Sequence, residues 1–301
     1  MIAEKNNRLS GSASFLPGFD LQKVKVPAFP DEIIDLLHNA FGLEELECLS
    51  WGTKASGFSL FRGNLGKERL FIKWGGKPGN CLNDYAFTRK VYETNPACVI
   101  RPYFCVSEGE IQCLGLQYVE GRTLKTALEE NSLTEEEKEV LVRKLPVIAQ
   151  ALIDADCVHR DVKPDNIFIL PDGDIRLFDF EFATNASEYA EREEIRRFPH
   201  LISVIGTKSE CGVRLGIGKF MWDDMVIFRR MLERIGSSER YAEAYARAES
   251  FFRSQEGKRH IRFPNRLRII ITFKAIEIVS ALLPLRSWKN KVRGLKRKSW
   301  F

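Results

Sequence analysis

Four side chains near the middle of the chain are of the types that handle charge on a phosphate. Asp161, Lys163 and Asn166 fall within the run VHRDVKPDNIFI, residues 158–169. Asp179 follows thirteen residues after Asn166, in IRLFDFEFAT, residues 175–184. Phosphoryl transfer needs a carboxylate to accept or orient the proton of an attacking hydroxyl. It needs hard oxygen ligands for Mg2+, such as a carboxylate and an amide carbonyl, and an ammonium near the transferring group. Any one of the four would pass as an ordinary turn residue. Four at this spacing argue for chemistry.

Such a group has to be held by a scaffold, and the pattern around it changes along the chain. Residues 1–47 read as an irregular extension ending in a short amphipathic helix, DEIIDLLHNAFG. Residues 48–119 carry short apolar runs, FSLFRG, RLFIKWG, VIRPYFCV and IQCLGLQYV, which read as strands around one helical segment, LNDYAFTRKVYET. Residues 120–257 are mainly helical. The segments TLKTALEEN and TEEEKEVLVRKLPVIAQALIDAD precede a strand pair, NIFIL and IRLFDF, joined by the turn PDGD. The expected architecture is α+β: a strand-rich lobe, a helical lobe and a ligand between them.

The 301 residues suffice for two such lobes. The net charge of +5 is uneven: residues 258–301 hold thirteen Lys and Arg against one acid, Glu277, leaving the rest of the chain negative. A segment this basic suits a phosphate-rich partner, and its apolar positions 269, 273, 276 and 283 share a helical stripe. With Trp288, Trp300 and Phe301 beside the basic residues, an anionic membrane surface is the expected partner. Nucleic acid is not expected, because no basic-aromatic binding motif accompanies the charge. Seven cysteines without a CxxC pair suggest reduced thiols in the cytoplasm. The first residues lack a signal-length apolar core, and the longest apolar segment is broken by Lys274, Glu277 and Pro284. The expected location is cytoplasmic, peripheral at the inner face of the membrane.

HRDVKPDN, with DFE following, resembles the catalytic loop and metal-binding motif of the protein-kinase superfamily, over roughly residues 48–235. The resemblance implies a bilobal fold, with an antiparallel N-lobe carrying one main helix and a reduced, mainly helical C-lobe. It implies ATP and Mg2+ as cofactors. Asp161 would be the catalytic base and Lys163 the γ-phosphate contact, with Asn166 and Asp179 as Mg2+ ligands. Lys73, in the apolar strand FIKW, would grip the α- and β-phosphates. A buried lysine needs a partner, and Asp84 and Glu93 on the helix 82–94 are the candidates. Nine positions at about 100° each set them on opposite sides. Asp84 shares its side with Phe87 and Val91, so Asp84 is chosen, although the family usually has the longer Glu. GTKASGF matches the phosphate-covering loop through Gly52, Lys54 and Gly57, with Lys54 where the middle glycine usually stands. LGLQYVEG looks like the hinge, placing Leu116 behind the adenine and offering backbone hydrogen bonds at Gln117 and Val119. His159 is expected to pack near Phe180, and Asp224 or Asp223 to brace the loop backbone.

Several departures bear on the acceptor. Phe71 stands where a small alanine usually sits under the adenine, so a different adenine placement is expected. Glu181 replaces the usual glycine, and no A-P-E follows; VIGTKSECG begins like the end of an activation segment and then fails. DFEFA is similar to choline-kinase and aminoglycoside-kinase-like branches. In size and basic tail the chain resembles bacterial lipopolysaccharide core-sugar kinases. The first expectation is a hydroxyl on a sugar, glycolipid or other small molecule at the membrane face. Lys163 and the full HRDVKPDN point instead to a serine/threonine protein kinase with a minimal C-lobe. A third reading is a pseudokinase scaffold.

Overall fold

The computed structural model describes residues 10–11, 20, 26–52, 58–76, 79–108, 110–189, 221–222, 224–256, 258 and 261–262. A six-stranded antiparallel sheet forms one lobe. Its strands are β1 (Ser10–Gly11), β2 (Glu44–Ser50), β3 (Phe58–Leu65), β4 (Glu68–Gly75), β5 (Pro102–Glu108) and β6 (Ile111–Gln117), in the order β1-β5-β6-β4-β3-β2. Two helices cover the two faces, α1 (Pro30–Phe41) and α2 (Asn80–Thr94).

Alternation along the strands decides which side chain goes where. Leu70, Ile72 and Trp74 of β4 join Phe104, Val106 and Cys113 in a core with Ile33, Leu37 and Phe41 of α1. The intervening residues turn the other way: Phe71 packs against the cluster of Cys105, Leu114 and Leu116 with Cys81 and Tyr85 of α2, and Lys73 reaches Asp84 of α2. Because helices lie on both faces, β6 is buried from Ile111 to Leu116 and shows no polar alternation. Each large apolar side chain buried this way contributes about 1.5–3 kcal/mol.

The helix of the expected N-terminal extension is part of this lobe. Ile33, Leu37 and Ala40 of α1 are fully buried, and β2 begins at Glu44, inside residues 1–47. An amphipathic helix alone would leave that stripe in water, so it docks on the sheet.

The second lobe is built on α4 (Glu135–Asp154), preceded by β7 (Arg122–Thr123) and α3 (Leu124–Glu129). Thr134 caps α4 in a capping box with Glu137, which bonds back to the Thr134 amide. Leu141, Val142, Leu145, Ile148, Ala149 and Leu152 form its buried stripe. That stripe packs with Phe228 and Leu232 of α6 (Asp224–Ile235) and Phe252 of α7 (Ala242–Gln255). Val91, Cys98 and Val99, from α2 and the turn after it, belong to the same core, and Leu177 N–H donates to Cys98 O at 2.9 Å. The two lobes therefore share packed residues behind the cleft.

Short strands present the loop of interest. β8 (Cys157–Val158) leads into it, β9 (Ile167–Ile169) and β10 (Ile175–Leu177) form a hairpin beyond it, and β11 (Thr184–Asn185) returns to pair with β8. β7 extends the hairpin to three strands. α5 (Ala186–Tyr189) follows β11, and β12 (Met221–Trp222) pairs with β13 (Ile261–Arg262). No helix among the described residues is long and apolar enough to cross a membrane.

Candidate active site

Lys73 lies at the centre of the cleft. Its Nζ is 2.8 Å from Asp84 Oδ2 and 2.8 Å from Asp179 Oδ1. Burial alone would lower its pKa, but the charges of Asp179 and Asp84 outweigh it and hold the ammonium well above its ordinary value. In return Lys73 keeps Asp179 ionised: burial pushes that carboxyl up, and the adjacent ammonium pulls it below the usual aspartate range. Asp84 also accepts from Phe180 N–H at 2.9 Å and from Thr88 Oγ1 at 3.2 Å. Glu93 is elsewhere, paired with Arg89 on the exposed side of α2.

The loop between β8 and β9 is held from beneath. Asp224, at the start of α6, accepts from His159 N–H at 2.7 Å and Arg160 N–H at 3.1 Å. His159 is fully buried and packs on Phe180, ring centroids 4.4 Å apart. Asp161 N–H donates to His159 Nδ1 at 3.2 Å, so the ring proton sits on Nε2, which donates to Phe178 O at 3.0 Å. Burial lowers the His159 pKa to about 4, and the bond from the Asp161 amide to Nδ1 requires the neutral ring. Asp223 lies outside the described residues.

Asp161 is 5% exposed and its Oδ2 accepts from Lys163 Nζ at 2.6 Å. Burial raises its pKa to about 6 against the pull of Lys163. A carboxylate near neutrality is suited to take a proton in a transition state. Asn166 Nδ2 donates to Asp161 O at 2.9 Å and Oδ2 at 3.3 Å, which leaves the Asn166 carbonyl oxygen as its remaining ligand atom. With one oxygen of Asp179 on Lys73, the other is the remaining carboxylate donor. This all-oxygen set suits Mg2+. Among the described residues there is no cluster of three or more His, Cys, Asp or Glu side chains that could close around a metal by themselves. A site of this kind needs phosphate oxygens to complete it.

A cavity of about 630 Å3 opens beside these groups. Its walls include Leu49, Leu60, Phe71, Leu116, Phe168 and Phe178, with Lys73, Asp179 and Glu181 at one end. That volume and apolar lining fit a nucleotide-sized ligand. Leu116, Gln117 and Val119 all line it. Gln117 N–H donates to Arg101 O and Tyr118 N–H to Arg69 O. Backbone alternation then turns Gln117 C=O and Val119 N–H away from β4, to the side where β5 has yet to begin. Gly52 N–H donates to Ser59 Oγ at 3.0 Å, and a side chain at Gly52 would collide with Phe58 O. Lys54 and Gly57 lie outside the described residues.

Glu181 has an explanation the sequence did not offer. The left-handed conformation occurs at Asp179, φ 70°, and not at Glu181. Glycine is therefore not required at 181, and aspartate is among the residues that tolerate that region. Glu181 Oε2 accepts from Asn80 Nδ2 at 3.1 Å, and burial with the nearby Asp179 charge raises its pKa to about 7. Asn80 and its neighbour Asn83 were missed: both contact residues about a hundred positions away, and nothing local marks them.

Residues 83–208 match the protein kinase domain family model. Among curated proteins the chain is similar to serine/threonine-protein kinase PknL of Mycobacterium tuberculosis, 36% identical over 94 residues, 31% of this chain and 23% of that one. It is also similar to a probable serine/threonine-protein kinase of Clostridium acetobutylicum, 34% identical over 95 residues, 31% of this chain and 14% of that one. A third, serine/threonine-protein kinase sax-1 of Caenorhabditis briggsae, is 26% identical over 102 residues, 34% of this chain and 22% of that one. The matched stretches span less than a quarter of the length of these relatives. Together with the two-lobed fold around Lys73, Asp161, Asn166 and Asp179, these matches support a protein-kinase-like superfamily.

Proposed function

We propose that the chain transfers the γ-phosphoryl group of ATP to a serine or threonine hydroxyl of a protein. The observation that carries the phosphotransferase reading is Lys73 within 2.8 Å of both Asp84 and Asp179 at the end of the apolar cavity. In this reading Leu116 backs the adenine while Gln117 C=O and Val119 N–H meet its edge. Phe71 contributes apolar wall on the same side. Lys73 holds the α- and β-phosphates, and Gly52 opens the loop that the sequence assigns to covering them. Asn166 and Asp179 hold Mg2+, which when bound offsets phosphate charge. Asp161 accepts the hydroxyl proton as the acceptor oxygen bonds to phosphorus and the bond to ADP breaks. Lys163, now 2.6 Å from Asp161, is within reach of the transferring group and can neutralise it.

The protein acceptor is the second expectation from the sequence, and it takes precedence over the sugar or glycolipid one. Its support is the Lys163–Asp161 pair and the serine/threonine kinase names of the relatives. The chain works in the cytoplasm in this reading, and residues 258–301 suit the inner face of an anionic membrane.

Incubation with γ-labelled ATP and Mg2+, beside separate protein and glycolipid extracts, tests the reading. Label is expected in protein, with loss of at least about a thousandfold in Asp161→Asn. Label confined to glycolipid would restore the first expectation. ATP binding without any transfer would favour the scaffold.

A further inference from the structure

Asn83 sits one residue before Asp84, and its side chain points at the backbone that follows Asp179. Its Nδ2 lies 3.2 Å from Phe180 O, 3.0 Å from Glu181 O and 3.0 Å from Ala183 O. Three carbonyls around one atom can suit only the NH2 end of the amide, which fixes the side chain's orientation. The same turn of α2 supplies Asp84 to Phe180 N–H and Asn80 to the Glu181 carboxyl. On the other side of Asp179, Phe178 N–H donates to Asn166 O at 3.1 Å.

Asp179 needs such support. A left-handed φ of 70° in a residue with a side chain is strained, and persists only where its surroundings over-determine it. The Phe178 bond fixes the chain before Asp179. The Asn83 clamp fixes the chain after it. With the peptides on both sides held, the Asp179 backbone is fixed, and its carboxylate meets Lys73 Nζ at 2.8 Å.

We propose that Asn83 is a positioning residue: by clamping the carbonyls of residues 180, 181 and 183 to α2, it sets Asp179 for metal binding. The inference rests on the phosphotransferase reading for the identity of the metal.

The test is direct binding rather than turnover. Mn2+ is titrated by electron paramagnetic resonance in the presence of ATP, for the wild-type chain, Asn83→Ala and the near-isosteric Asn83→Leu. ATP affinity in chelator is measured in parallel by fluorescence. Both variants are expected to bind Mn2+ about tenfold more weakly, the scale of lost outer-shell support, with metal-free ATP affinity unchanged. A folded variant that binds Mn2+ as tightly as wild type would overturn the inference and leave the phosphotransferase reading standing. Equal loss of Mn2+ and metal-free ATP binding, or failure of both variants to fold, would make Asn83 a structural residue and overturn it too. A wild-type chain that binds no Mn2+ with ATP would sink both.

Discussion

His159 carries the loop by staying neutral. Its Nδ1 accepts from the Asp161 amide and its Nε2 donates to Phe178 O, so protonation of Nδ1 would break the first bond inside a fully buried site. Its folded-state pKa of about 4 lies below the ordinary 6.5. The unfolded chain therefore binds more protons between those values. The contribution of His159 is fully present above pH 6.5 and is lost as pH falls toward 4, by about 3 kcal/mol in all. Urea midpoints measured from pH 7 to 4.5 should fall, and His159→Gln should flatten the slope; a slope that the substitution leaves unchanged would refute this account. His159 was legible as a packing residue from the loop motif, and Asp84 from its helical face. Neither route could reach Asn83. A polar residue in the first turn of a helix looks like a solvent-facing one until the fold brings Phe180 to Ala183 against it.

At the level of elements, the strands of the sheet lobe were readable where they are apolar and missed where they are not. β2, EELECLS, is an edge strand with mostly exposed side chains, so neither hydrophobicity nor strand propensity marks it. The connection from hinge to helical lobe depends on Gly121 for a reason invisible in composition. Its φ is 138°, and an added Cβ would sit 2.0 Å from Ile169 O, where β7 pairs with β9. Gly121→Ala should push β7 off β9 and cost on the order of 2–4 kcal/mol in urea unfolding. Gly66 is the control: it also has positive φ, 60°, but no heavy atom lies within 4 Å of its would-be Cβ. Gly66→Ala should cost only about 1 kcal/mol. Equal losses at the two positions would mean that backbone conformation, and not the approach to Ile169, is what Gly121 provides.

Across the whole molecule, charge is divided as sharply as the lobes are. Thirteen basic residues against Glu277 give residues 258–301 a charge of +12 in a chain of net +5, so the remaining residues are net negative. Attraction of such a segment to anionic lipid is about 1 kcal/mol per basic residue near the surface, and interfacial tryptophan adds to it. Residues 285–301 hold seven of the basic residues together with Trp288, Trp300 and Phe301. Deleting them should weaken sedimentation with phosphatidylserine vesicles by more than about tenfold. Binding by the intact chain should also fall as salt rises from 50 to 500 mM, since the interaction is between exposed charges over roughly a Debye length. ATP binding should not change, because every described wall of the cavity lies at or before Glu181. If vesicle binding survives the deletion, the basic end is not a membrane anchor. If single-stranded RNA competes the chain off vesicles at equal phosphate concentration, the charge is general for polyphosphates and the lipid is not its specific partner.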